Sequence, residues 1–383
     1  MLYWVNFLHI YQPPNQDPFI LQKVSAESYE LILELLKTYP RMKLTLNVSG
    51  ALISQLNNEK YLHILQGIKM FAEKGRVELV GSAMYHPILS LLPEEEIERQ
   101  IALNNEISGK VFGEAYKPKG FFIPEMAYSD KVGRAIREAG FSWVLLDEAH
   151  FGKQAPHPAI KYKIKENGLI ALFRNRRFSK TFPPEYIVEN INSIKENYLI
   201  TAHDGELYGH WHKDFKGYYD KAFNHKSIRS VTVSEYLEMI GEGAEDVTPK
   251  KTNWEATTED MVKRIHFALW NHPNNTIHEL LWKLARLAMH AVASHKTDPN
   301  YSFAREHLDK GLSSCAWWWA AGTRPIITAP ITWNPDVIEK GLRELIKSMR
   351  SLKNMDKVKK IQAEKIYARL IVAIWSNHWN KFD

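Results

Sequence analysis

The first 240 or so residues alternate short apolar, β-rich runs with longer stretches of helical periodicity. The runs are LYWVNFL (Leu2 to Leu8), KLTLNV (Lys43 to Val48), RVELVG (Arg76 to Gly81), KGFFIPE (Lys119 to Glu125), FSWVLLD (Phe141 to Asp147), GLIALFR (Gly168 to Arg174) and NYLITAHDG (Asn197 to Gly205). Such short, nearly continuous apolar stretches predict strands buried on both faces. Between them lie amphipathic segments: SAESYELILELLKTY, with Ser25 as its expected cap, PEEEIERQIALNNEISGKVF opening on Pro93, and SDKVGRAIREAG. Pro at the first position and acids in the first turn suit a helix start. Seven strands separated mostly by helices predict a largely parallel β/α sheet with its helices outside. After TVSEYLEMI the pattern changes. Gly241 to Asn253 reads as a surface loop, and mainly helical patterns follow to the end. We therefore expect an α/β domain over residues 1–240 and a helical domain over 241–383.

Composition narrows the classes. With 383 residues, 45% hydrophobic and 25% charged, the chain carries enough apolar material for a sizeable core and too much for a disordered chain. The 50 Lys and Arg exceed the 44 Asp and Glu by only six and are scattered, so no nucleic-acid partner is expected. The single cysteine, Cys315, excludes an internal disulfide and a multi-thiolate zinc site, and fits a reducing, cytoplasmic setting. The N-terminus has no basic stretch ahead of its apolar run, and no run approaches 18 apolar residues, so neither a signal peptide nor membrane association is expected. Walker A and Rossmann glycine fingerprints are absent. The unusual item is the 12 Trp beside 17 Tyr and 16 Phe.

Reactive side chains gather just after the predicted strands: His9 and Gln12, Tyr85 and His86, Glu125, and then His203, Asp204 and Glu206. In parallel β/α folds the carboxyl ends of strands form the crevice that binds ligands. Each residue alone also has a plain structural explanation; their shared placement argues for a site. Two carboxylates on separate units, Glu125 and Asp204, are what glycosidic bond cleavage requires. A carbohydrate ligand would also use the aromatics, because indole stacks on the apolar faces of sugar rings. Trp211, Trp254, Trp317 and Trp318 are the candidates. Three consecutive tryptophans, Trp317 to Trp319, cannot all face one way, so at least one is structural. Two other readings stay open. The histidines with Asp204 suggest a metal-dependent deacetylase-like hydrolase, although no HExxH or paired-Cys signature supports a metal; a non-catalytic glycan-binding protein is the other. We assign no metal ligand and no cofactor.

At these residues the sequence resembles glycoside hydrolase family 57. LHIYQPP is similar to the family's His-Gln-Pro block, with Tyr11 between His-Ile and Gln12. VELVGSAMYHPILSLLP resembles the second block, GFFIPEMAYS the third and ITAHDGELYGHW the fourth, while SSCAWWWAAG stands where the family carries an aromatic fifth block. The resemblance implies an incomplete seven-stranded (β/α)7 barrel with a C-terminal helical domain contributing to the substrate cleft. It implies a retaining glycosidase or transglycosylase for α-linked glucans or oligosaccharides, in the manner of α-amylases and 4-α-glucanotransferases. The nucleophile then falls on Glu125 and the general acid on Asp204, with Glu206 and Trp211 along the cleft. His9 and His86 are expected to bind sugar hydroxyls or orient Glu125, and His203 to tune the neighbouring acid.

Overall fold

The computed structural model describes residues 1–152, 155–323 and 331–382. They divide into two compact units. The first comprises Met1–Gln12, Gln16–Met84 and Leu89–Trp254; the second comprises Pro13–Asn15, Tyr85–Ile88 and the chain from Glu255 onward.

The apolar runs of the first unit become strands. Its described strands are β1 (Leu2–Ile10), β2 (Leu44–Val48), β3 (Val77–Val80), β4 (Gly120–Phe122), β5 (Trp143–Asp147), β6 (Lys161–Ile164), β7 (Ile170–Arg174), β8 (Tyr198–Asp204), β9 (Ile228–Val231) and β10 (Ala244–Val247). One parallel ladder runs β3-β2-β1-β8, and another runs β4-β5-β7. A parallel bridge from Gly81 to Phe121 joins β3 to β4, and the N–H of Asn175, just past β7, donates to the carbonyl of Ile200 within β8 (2.8 Å). Seven strands thereby follow one another around an incomplete (β/α)7 barrel, the expected architecture, and they are the seven apolar runs read from the sequence. β6 pairs antiparallel with β7 and parallel with β10, and β9 lies along the first half of β1.

Two local expectations are corrected. The first helix begins not at Ser25 but at Pro18, where Asp17 accepts from the Phe19 N–H (2.8 Å). It passes through a π-helical turn at Ser25–Tyr29 and continues to Thr38. Ser25 is therefore buried within the helix. The segment Gly241 to Asn253 is not all loop, since it contains β10. AEDV is mostly exposed and has no apolar periodicity, which is why an edge strand there leaves no sequence signal.

Strand alternation sets the barrel's inside. Val5 and Phe7 of β1, Phe122 of β4, Trp143 and Leu145 of β5, Leu172 of β7, and Ile200 and Ala202 of β8 form one core cluster with Trp254. Trp4, Leu8 and Ile10 of β1, Leu44, Leu46 and Val48 of β2, and Leu199 of β8 belong to a second cluster with the surrounding helices. Because side chains two apart share a face, the inner face at the carboxyl ends carries His9, Asn47, Phe122, Asp147, Arg174 and Asp204.

The second unit is mainly helical, with helices at Thr276–Ala293, Tyr301–Gly311, Pro335–Ser351 and Lys357–Asn377 packed over Leu281, Leu284, Leu308, Leu342, Leu345 and Ile374. Asn275 caps the first of these, accepting from the Ile277 and His278 N–H groups. No helix among the described residues is long and apolar enough to cross a membrane.

Packing between β4 and β5 gives a direct test. A Cβ on Gly120 would fall 2.0 Å from the ring of Trp143, which is buried, whereas one on Gly109, within the helix Glu94–Phe112, meets nothing within 4 Å. Gly120→Ala is expected to lower the unfolding free energy by about 1–3 kcal/mol. Gly109→Ala should raise it by roughly 0.5–1 kcal/mol. Denaturant midpoints of the two variants measure both effects.

Candidate active site

The mouth of the barrel is built from residues that terminate strands. After Phe122 the chain turns sharply through Pro124, and Glu125 takes a left-handed conformation (φ 58°, ψ 15°), followed by Met126 at φ 48°. Neither is glycine, so each costs roughly 1–3 kcal/mol and persists only where neighbours enforce it. Trp254 does so twice. Its backbone N–H donates to the Glu125 carbonyl (3.2 Å), and its indole Nε1–H donates to Glu125 Oε2 (2.6 Å). Trp254 is only 6% exposed, so its principal contact is this carboxylate rather than a solvent-facing platform. The His150 Nε2, buried beneath, lies 2.8 Å from the Met126 carbonyl.

Asp204 ends β8 on the same inner face and is half-buried. Its register partner across the ladder is His9 of β1. The His9 ring stacks on Phe122 (4.4 Å between centroids) and meets Trp254 edge-on (6.4 Å), so it bridges the β8 side of the mouth to the β4 side. Its Nδ1 lies 2.6 Å from Asn47 Oδ1, and that acceptor sets the hydrogen on Nδ1. Burial lowers the His9 pKa to about 4, against the Asn47 bond, so the ring is neutral at ordinary pH.

Glu206 lies one turn beyond, buried, and accepts from Tyr29 Oη (2.5 Å) and Gln12 Nε2 (3.1 Å). Burial pushes its carboxyl up to about 7 despite these bonds. Gln12 also donates to Tyr29 Oη (3.1 Å), so Gln12, Tyr29 and Glu206 form one buried cluster behind Asp204. Trp211 is 45% exposed, with its backbone N–H donating to the Glu206 carbonyl (2.9 Å), and it is the most exposed of the unit's tryptophans Trp4, Trp143, Trp211 and Trp254.

Several expected contacts are redrawn. His203 does not join the inner face: it alternates outward, stacks on Tyr208 (5.4 Å) and donates from Nδ1 to the Asp204 carbonyl (2.9 Å). Burial, with the Arg174 charge adding to it, holds its pKa at about 4. Its link to the site is thus through the Asp204 backbone. Tyr85 and His86 belong to the second unit, where His86 (φ 55°) accepts at its carbonyl from Ser314 N–H (3.2 Å) and lies 3.1 Å through Nδ1 from Ser314 Oγ. Trp317 is corrected as a sugar platform: it is 1% exposed and packs on Trp282 (4.6 Å) inside the helical unit. Trp318 is half-buried and meets Trp319 edge-on (4.7 Å). The helical unit also contains a cavity of about 570 Å³ lined in part by Glu255, Thr257, Asn275, Thr323, Trp333 and Lys381. Among the described residues no three His, Cys, Asp or Glu side chains are grouped to hold a metal ion. Reading by strand end alone passed over Asp147 and Arg174, which also end strands; counting back two from each onto Leu145 and Leu172 shows that they share the inner face.

Residues 4–253 match the model of glycosyl hydrolase family 57. The chain belongs to this family. Family 57 membership agrees with the relatives. An α-amylase of Pyrococcus abyssi is 27% identical over 61% of this chain and 39% of its own length, and a 4-α-glucanotransferase of Thermococcus litoralis is 25% identical over 62% of this chain and 38% of its own. The match thus spans about two fifths of the length of these relatives. The fold recurs in a branching enzyme of Thermococcus kodakaraensis (TM-score 0.73, 14% identity, 97% of this chain and 96% of that one) and in the T. litoralis 4-α-glucanotransferase (TM-score 0.72, 20% identity, 93% and 61%).

The Glu206 carboxyl yields a stability prediction. Its pKa is raised from 4.5 to about 7 in the folded protein, so its stabilising contribution is complete below pH 4.5 and is lost as the pH rises through about 7. Glu206→Gln removes the titration. The variant should gain roughly 2–3 kcal/mol on wild type between pH 4.5 and pH 8, a value set by about 1.4 kcal/mol per pKa unit. Parallel unfolding curves for the two proteins across that range, with no change in their separation, would contradict the assignment.

Proposed function

We propose that this chain is a retaining glycosidase or transglycosylase acting on α-linked glucans or oligosaccharides. The observation that carries the reading is the left-handed Glu125 at the end of β4, its carboxylate gripped by Trp254. Support comes from Asp204 at the end of β8 on the same inner face, and from relatives that are an α-amylase and a 4-α-glucanotransferase. Glu125 attacks the anomeric carbon while Asp204 protonates the leaving oxygen, giving a covalent glycosyl-enzyme. Asp204, now ionised, takes a proton from water or from a second sugar hydroxyl, which displaces Glu125 and restores the starting configuration. Neutral His9, beside Asp204 on the inner face, contacts a sugar hydroxyl, and the exposed face of Trp211 stacks on a ring further along. Tyr85, His86 and Trp318 are assigned to substrate contacts of the helical unit.

Incubation with a panel of α-linked gluco-oligosaccharides, followed by product mass and anomer analysis, tests the reading. Wild type is expected to yield products of retained configuration, with activity that survives chelator. Glu125→Gln should lower kcat by roughly 10⁴-fold or more. Inverted products, or a Glu125→Gln protein at the wild-type rate, would overturn the assignment. Chelator-sensitive acetate release from acetylated sugars would favour a deacetylase instead.

A further inference from the structure

Two buried charges behind the candidate nucleophile have no place in the steps just described. Asp147, the last residue of β5, and Arg174, the last of β7, are register partners and are 0% and 3% exposed. Arg174 Nε donates to Asp147 Oδ2 (2.7 Å), and Arg176 Nη1 lies 3.6 Å from Asp147 Oδ1. Burial alone would raise the Asp147 carboxyl, but Arg174, Arg176 and the Ala149 N–H hold it below the usual range, so it is ionised. A buried ion pair gains little stability over apolar side chains of the same volume, because both ions must be desolvated. Its retention inside a barrel calls for another explanation.

That explanation lies in what the guanidinium touches next. Arg174 Cζ sits 4.8 Å from the centre of the Trp254 ring, the geometry of a cation over an aromatic face. Its Nη1 donates to the Ala202 carbonyl (2.6 Å) and its Nη2 to the Trp254 carbonyl (3.4 Å), which also accepts from Arg176 Nη2 (3.1 Å). The indole is thereby fixed in position, and its N–H is the group that donates to Glu125 Oε2 at 2.6 Å. A cation against the ring withdraws π density and makes the N–H a stronger donor, and a donor bonded to a carboxylate favours the ionised form.

We infer that Arg174, held by Asp147, is a positioning residue for Glu125 that acts through the Trp254 indole, fixing the carboxylate's orientation and keeping it ionised. The inference rests on the reading of Glu125 as nucleophile, but its physical core, the coupling of Arg174 to the Glu125 carboxyl, is measurable without turnover. The relay has three parts, Asp147 to Arg174, Arg174 to Trp254 and Trp254 to Glu125. Removing any one should move the same quantity.

The test is carboxyl ¹³C NMR titration of Glu-labelled protein, with the Glu125 signal assigned by its loss in Glu125→Gln, alongside kcat and KM on a maltooligosaccharide. Arg174→Gln and Trp254→Phe are each expected to raise the Glu125 pKa by about one unit, a tenfold gain in proton affinity. Both should lower kcat about 10–100-fold with KM changed less than threefold, and shift the acid limb of the kcat/KM profile upward by the same unit. Arg174→Lys, which keeps a cation over the ring, should restore most of the Glu125 pKa. Asp147→Asn with Arg174→Gln removes both charges and supplies a folded comparison if the single change does not fold; it should carry the same shift. An unshifted Glu125 pKa in folded Arg174→Gln or in the double variant, or in Trp254→Phe, would overturn the inference. If wild type turns over no substrate while the pKa shifts occur, the coupling stands and the glycosidase reading fails.

Discussion

The hydrogen bond from the Trp254 indole to Glu125 Oε2 ties the end of the fourth barrel strand to a residue 129 positions further along the chain. The β4 side of the mouth is arranged around the constraint it imposes. The indole bond helps hold Glu125 and Met126 at φ 58° and 48°, where side chains other than glycine are strained. The backbone bond from Trp254 to the Glu125 carbonyl and the His150 contact to the Met126 carbonyl share that task. The result is a carboxylate whose rotamer and backbone are both fixed from the inner side of the barrel, the positioning that the proposed attack on one carbon atom calls for.

The carboxyl groups near the mouth have been given different surroundings. Glu125 faces a strong donor. Glu206 is buried against Tyr29 and Gln12 and holds a proton to about pH 7, so it adds little negative charge beside Asp204 in the acid range. The histidines are set the other way. Burial keeps His9 and His203 neutral, with one ring on the inner face against Asn47 and Phe122 and the other anchoring the Asp204 carbonyl. Pushing neighbouring titratable groups in opposite directions lets one site hold ionised and neutral groups side by side.

Much of this was legible in the amino-acid pattern. Seven apolar runs gave seven barrel strands because a strand covered on both faces has to be apolar nearly throughout. Reactive residues at the ends of those runs located Glu125, Asp204 and His9. What could not be read were features without a local signal. IPEM gives no hint of a left-handed carboxylate, since the strain is imposed by residue 254. The outward turn of His203 follows only from knowing that Ile200 and Ala202 face in. The Trp317 to Trp319 run was expected to hold at least one packing residue, and Trp282, 35 positions earlier in the chain, decides that Trp317 is one. Strand β10 was missed because an exposed edge needs no apolar face.

The central claim is that Glu125 forms the covalent bond to sugar. The most direct measurement is mass spectrometry of the intact protein and its peptides after reaction with an activated fluoro-substituted α-glucosyl fluoride, which accumulates a glycosyl-enzyme by slowing its breakdown. The account predicts one added fluoroglucosyl group, carried by the peptide containing Glu125 and absent in Glu125→Gln. A label on a different carboxylate, or fluoride release by wild type with no adduct at any time, would contradict it.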